Sequence, residues 1–310
     1  MNLVKIAFTV CTNNYLAQAR VLAKSIKNFA PDYQFYLFLA DEENAEIDYH
    51  SITEINFINW KQLPIDCDDL IKKFDVVELN TAIKASCFKY LFAKFNAQII
   101  HYLDPDIRLF SSLESIDSNF TDASILLTPH VFSPISWGPG SPNENLFLRH
   151  GLYNLGYLGL KKSTAADATL DWWEDRCLKM GFNNPKYGFF VDQLWMNYIP
   201  LFHQQETKVL ANKGCNMGPW NLHERTLSED NAGFKVNNEN ELVFYHFSSY
   251  NFREDAISRH YRYTFETNPD VRPIYKIYQK EMIDAGVERF EHFKWAYTKK
   301  KSFLKKLLKK

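Results

Sequence analysis

The chain opens with a pattern that leaves few folds available. Residues 4–11 form a short apolar run of strand length, and Leu16–Phe29 carries helical spacing through Leu16, Ala19, Ala23 and Ile26. Residues 34–40 are a second apolar run, ending at Asp41. A strand, a helix and a strand in that order require a crossover, which makes the strands parallel and covers the sheet on both faces. In open α/β sheets of this kind ligands bind beyond the carboxyl ends of the strands. Residues 12–15 and Asp41 therefore lie at the expected ligand edge, although Asn13 and Asn14 also suit the cap of the helix that follows.

The same logic applies to QIIHYLDPDIRLF at residues 98–110. Its apolar run reads as a buried strand that must stop at Pro105, which has no N–H to give to a ladder. Asp104 and Asp106 then stand one residue apart at a carboxyl end. Mutual repulsion raises one of two such pKa values unless a cation sits between them, and hard divalent ions take oxygen ligands of this type. An acidic turn after a strand is the plainer alternative.

Further along, strands are expected at 55–58, 74–79, 123–127, 152–160 and 243–247, and helices at 68–73, 82–95, 163–180, 191–202, 255–262 and 273–286. Residues 131–150 hold three of the twelve prolines and read as a long loop, and 211–225 reads as a second one. With 310 residues, 46% of them hydrophobic, the chain can bury a large α/β core. Net charge is −1, but 299–310 contribute seven lysines, so the rest carries about −8 and is a poor nucleic-acid binder. Five dispersed cysteines (11, 67, 87, 177 and 215) fit reduced thiols in the cytoplasm better than disulfides or a zinc site. There is no signal-peptide pattern, and no window approaches the ~20 apolar residues of a spanning helix.

Taken in order, FTVCTNNYL, YLDPD, YNLGYLGL, FVDQLWMN and YHFSSY resemble the GT-A glycosyltransferases, and among them the retaining family 8 enzymes, over roughly residues 4–255. WNLHER at 220–225 is similar to a motif of bacterial polysaccharide glycosyltransferases. The resemblance implies a Rossmann-like α/β fold with a mostly parallel central sheet flanked by helices. It divides the chain into a catalytic domain (1–254), a C-terminal helical extension (255–298) and a basic tail (299–310). It implies a metal site of Asp104, Asp106 and His246, which suits Mn²⁺ or Mg²⁺. Thr12, Asn13 and Tyr15 would receive the base and ribose of a nucleotide-sugar donor, with Asp104 touching the ribose as well as the metal. Lys89 would face the phosphates, and Asn154 and Gly156 the sugar. Asp192 and Gln193, at a helix start, would flank the reacting carbon.

The late motif departs from the family. Residues 246–253 read HFSSYNFR, without the usual glycine, lysine and tryptophan, so Arg253 is left to contact the diphosphate. Trp220, His223 and Glu224 are candidates for holding a glycan or lipid-linked acceptor, with Glu224 and Arg225 alternatively a structural ion pair. The tail KKKSFLKKLLKK sets Phe303, Leu304, Leu307 and Leu308 on one helical face, which reads as a contact with the anionic inner face of the plasma membrane, or else as a solubilising tail. The expected activity is metal-dependent sugar transfer from a UDP-linked donor in cell-surface polysaccharide synthesis, retaining rather than inverting. The alternatives are a metal-dependent nucleotidyltransferase or phosphotransferase, and an inactive carbohydrate-binding protein. The first of these would carry a glycine-rich loop after its first strand, and CTNNYL has no glycine.

Overall fold

A computed structural model describes residues 3–298. The membrane reading of the basic tail concerns residues outside that range. Strand β1 (Lys5–Cys11) leads through a 3-10 turn into α1 (Leu16–Phe29), β2 (Tyr33–Leu39) and β3 (Asn56–Asn59). Helices α2 (Cys67–Lys73), α3 (Val76–Ala82) and α4 (Lys84–Phe95) follow, then β4 (Ile99–Leu103), β5 (Ile107–Leu109), α5 (Glu114–Asp117) and β6 (Ile125–Pro129). Next come α6 (Glu144–His150), β7 (Tyr153–Lys161), α7 (Thr164–Met180), the two-residue strands β8 (Asn183–Asn184) and β9 (Phe189–Phe190), α8 (Ile199–Phe202) and β10 (Thr207–Val209). The described residues close with a meander of β11 (Leu227–Asp230), β12 (Gly233–Val236) and β13 (Asn240–Glu241), then β14 (Phe244–His246), α9 (Arg272–Asp284) and α10 (Val287–Phe290).

Seven strands form one sheet in the order β10-β6-β7-β4-β1-β2-β3. All run parallel except β7, which pairs antiparallel with both β4 and β6. Strand β1 explains why the sequence reads as continuous apolar residues. Ile6, Phe8 and Val10 face the core under α3, α4 and α7, while Ala7 and Cys11 face the core under α1. Helix α9 buries Ile274, Tyr275, Tyr278 and Met282 in the second of these cores, so the C-terminal extension shares its interior with the first βαβ unit. All five cysteines are free. Among the described residues no helix is long and apolar enough to cross a membrane.

Several sequence expectations need correction. Residues 74–79 are not a strand. Asp75 caps α3 in a reciprocal box with Glu78, and the helix expected at 82–95 is α4, which starts at Lys84 because Ile83 separates it from α3. The 131–150 stretch is not all loop, because Asn143 caps α6 through the Leu146 N–H. No helix forms at 255–262. There Arg262 N–H donates to the Ser141 carbonyl and its guanidinium to the Ser136 carbonyl. Nor is 191–202 one helix. Val191 adopts φ 41°, residues 194–198 are 3-10, and Pro200 sits in the short α8.

Candidate active site

The carboxyl ends of β1 and β4 and the amino end of the antiparallel β7 open into one groove. Pro105 ends β4, and Ile107 N–H closes the turn on the Asp104 carbonyl at 3.0 Å. Strand β5 then pairs antiparallel with β14, setting His246 opposite Ile107, and Phe247 N–H donates to the Asp106 carbonyl at 2.9 Å. This two-stranded ribbon, rather than the main sheet, delivers the histidine. His246 Nε2 lies 3.1 Å from an Asp106 oxygen and 3.8 Å from an Asp104 oxygen. Burial opposes a charge on His246, but the two carboxylates overcome it and hold the imidazole above its ordinary pKa; in return His246 holds Asp106 low.

The trio fits a divalent ion. One ligand atom from each lies within 4.8 Å of the others. An octahedral ion with ligands at ~2.1 Å sets neighbouring ligand atoms about 3 Å apart, close to the His246–Asp106 separation. Two carboxylate oxygens and an imidazole nitrogen suit Mn²⁺ or Mg²⁺. Gly156 lets the histidine come this close, since a Cβ there would lie 2.4 Å from His246 Cε1.

The groove has two arms. The wider, about 530 Å³, is lined by Asn154, Gly156, Asp192, Gln193, His130 and Tyr261 among others. The narrower, about 260 Å³, runs past Thr12. Tyr15, Lys84, Asp104 and Asp106 line both, so the acidic cluster stands at the junction. Gln193 lines the wide arm but is engaged with backbone, accepting from Leu155 N–H at 2.9 Å and donating to the His150 carbonyl at 2.8 Å. Val191, a β-branched residue held at positive φ, is backbone strain directly before Asp192.

Other predicted residues are placed elsewhere. Asn13 does not reach the groove, because its amide is spent on Asp41 (3.1 Å), the Glu42 carbonyl (2.9 Å) and the Tyr49 hydroxyl (2.6 Å). Asp41 is itself wholly buried and accepts from Ala296 N–H, so it ties this turn to the C-terminal segment and is not a ligand-edge residue. Lys89 faces α7 and pairs with Asp171 and Glu174. Arg253 pairs with Glu291 at the surface. Trp220 lies one layer below the groove, edge-on to His246 at 5.2 Å. Glu224 accepts from Phe132 N–H and the Ser133 hydroxyl, and His223 lies 3.2 Å from the Ser133 carbonyl. The 220–225 motif is thus a clamp on the 130–136 loop, and the acceptor role expected of it has no exposed surface in the groove.

The cation the sequence reading missed is Lys84. It is 3% exposed, 2.9 Å from Asp192, 3.4 Å from Asp104, and donates to the Leu155 carbonyl. Burial alone would lower it, but Asp104 and Asp192 raise it above its ordinary value. Asp192 is raised too, because burial outweighs the help from Lys84. His130, at the end of β6, was also passed over.

No known family profile matches the chain. It is 25% identical over 287 residues to the uncharacterized protein YfnF of Bacillus subtilis (strain 168), covering 88% of this chain and 90% of that one. Among solved structures, the bifunctional glycosyltransferase WbbM superposes over 93% of this chain and 50% of its own at 12% identity, TM-score 0.50. The galactosyltransferase LgtC, in complex with donor and acceptor sugar analogues, matches 70% of this chain and 76% of its own at 20% identity, TM-score 0.43. The chain therefore has the GT-A glycosyltransferase fold, as its motif order led one to expect.

Proposed function

We propose that this GT-A chain is a metal-dependent glycosyltransferase that takes a sugar from a nucleotide diphosphate donor, UDP-linked in preference. The acceptor is a glycan or lipid-linked glycan of cell-surface polysaccharide synthesis. The observation that carries the reading is the position of the acidic cluster at the junction of two arms. A nucleotide sugar has an aromatic base at one end, a sugar at the other and a dianionic diphosphate between them. Base and ribose fit the narrow arm past Thr12 and Tyr15, the diphosphate meets Asp104, Asp106 and His246, and the sugar enters the arm lined by Asn154, Gly156 and Asp192.

A divalent ion held by the trio supplies Lewis-acid neutralisation of the departing diphosphate. The protein's own part is electrostatic and steric. Lys84 neutralises the carboxylates on both sides and fixes Asp192 beside the sugar end. Developing positive charge at the anomeric carbon is favoured by an adjacent carboxylate. An inverting reaction needs a base free to take the acceptor proton, whereas Asp192 is 2% exposed and already ion-paired. That favours retention.

The test is thermal unfolding with a panel of nucleotide sugars, with and without Mn²⁺, for wild type and Asp106→Ala. A ligand that binds only the folded state raises the transition. A Mn²⁺-dependent rise with one donor, lost in the variant, is the expected result. A chain stabilised by glycans but by no nucleotide would be a carbohydrate-binding protein instead.

A further inference from the structure

A run of buried amides behind the sugar arm can be assigned atom by atom from a single backbone group. The Gly156 N–H can only donate, and its partner at 3.0 Å is Asn154 Oδ1. That fixes which end of the Asn154 amide is oxygen. Asn216 places its Nδ2 3.1 Å from the same oxygen and 2.7 Å from Thr128 Oγ1. Both lone pairs of Asn154 Oδ1 are then taken.

On its other side Asn154 Nδ2 meets His130 Nε2 at 3.2 Å. This ring nitrogen must accept, so the proton sits on Nδ1, where the Leu152 carbonyl lies 3.3 Å away. Burial pushes the His130 imidazole down to about 3, which keeps it neutral. The ring is clamped, stacked on Phe147 at 4.6 Å and edge-on to Trp220 at 5.8 Å. Asn216 is wholly buried at φ 54°, and Asn221 Nδ2 donates to the carbonyls of both Asn216 and His130. One N–H of Asn154 remains, and Asn154 lines the groove.

We propose that His130 and Asn216 are positioning residues that make Asn154 a one-way hydrogen-bond donor in the sugar arm. The site thereby selects a transferred sugar that offers an oxygen, hydroxyl or carbonyl, as acceptor there, and rejects an amino sugar whose ammonium can only donate. The inference rests on the donor-sugar reading of that arm. It gives the 216–221 segment a purpose that direct acceptor binding does not, because its side chains act through Asn154.

The experiment is calorimetric titration in Mn²⁺ with UDP, UDP-glucose, UDP-galactose, UDP-N-acetylglucosamine and UDP-N-acetylgalactosamine. The readout is the affinity gained by adding the sugar to UDP. Asn154→Ala, His130→Phe and Asn216→Ala are each expected to lose about tenfold of that gain, one hydrogen bond's worth, with UDP affinity unchanged. His130→Gln, whose terminal oxygen reaches the place of Nε2, keeps the gain. Asn154→Ala/His130→Phe loses no more than Asn154→Ala alone, since the two act as a unit. Additive losses, losses that fall equally on UDP, an undiminished gain in Asn154→Ala, or a wild type that gains from none of the sugars would each overturn the inference. Should His130→Phe fail to fold, Asn216→Ala and His130→Gln make the same comparison. A wild type that binds no UDP in Mn²⁺ sinks the glycosyltransferase reading as well, whereas UDP binding with a misplaced gain sinks this inference alone.

Discussion

Lys84 and Asp192 form an ion pair 2.9 Å apart, both side chains under 5% exposed, in the wall between the acidic cluster and the wider arm of the groove. Each charge has left water, so the pair is held by mutual attraction and by the Leu155 carbonyl rather than by solvent. Removing one partner of such a pair costs about 3–5 kcal/mol, because the other charge is stranded. Lys84→Met is therefore expected to lower stability by that order in urea unfolding and to cut sugar transfer at least hundredfold. Lys84→Met/Asp192→Leu should recover much of the stability and none of the activity. Full activity in Lys84→Met would remove Asp192 from the reaction.

A second buried network bears on stability alone. Asp117 is contacted by His101 Nε2 at 3.0 Å, Lys5 Nζ at 2.8 Å and Tyr33 OH at 2.6 Å. Burial would raise its carboxyl, but these donors more than reverse that and hold it at about 2, against 3.8 ordinarily. A depressed carboxyl contributes stability that is complete above the unfolded pKa and is lost as pH falls through the folded one. The shift corresponds to about 2 kcal/mol. Asp117→Asn should be less stable than wild type by about that amount at pH 7, and the two should converge between pH 4 and pH 2. A constant difference across that range would show that packing, not charge, is what the substitution removes.

Most of the sheet was legible because buried parallel strands are continuous apolar runs and their helices are amphipathic; α1 has the bounds its spacing predicts. Two local signals were present and unread. Asp75 and Glu78 spell a capping box, and Lys84 shares the i, i+4, i+7 face of Phe88 and Leu91, which buries it, while Lys89 falls off that face. Glu224 does pair with Arg225, at 3.7 Å, as its alternative reading had it, but the longer-range roles of Asn13, Glu224 and Arg253 were not legible in the same way. Their partners Asp41, Phe132 and Glu291 lie 28, 92 and 38 residues away, and a resemblance carries no information about such private pairings.

Arg253 gives that point a direct test. Its guanidinium is engaged by Glu291 outside the groove, although the motif order placed it at the diphosphate. Arg253→Ala is expected to leave UDP affinity and the donor KM unchanged within twofold, and exposed pairs of this kind contribute little to stability. A tenfold rise in donor KM would mean that the 248–263 segment swings inward when the donor binds and brings Arg253 with it.

Gly156 separates the candidate metal site from the fold. A methyl group at this position would stand 2.4 Å from His246 Cε1, 2.6 Å from His246 Nδ1 and 2.7 Å from Asn154 Oδ1. Real Cβ atoms do not approach that closely, so either the histidine leaves the carboxylates or β7 shifts. Helices α4 and α7 hold β7 from one side, and its ladders to β4 and β6 fix its register, so the ring has more freedom to move than the strand. Overpacking of this kind costs about 1–3 kcal/mol. Gly156→Ala should therefore still unfold cooperatively, at a modestly lower temperature. It should lose the Mn²⁺-dependent part of the UDP-induced thermal shift, because His246 can no longer reach the ion. Retention of the full Mn²⁺ effect in a folded Gly156→Ala would mean that Asp104 and Asp106 hold the ion without the histidine.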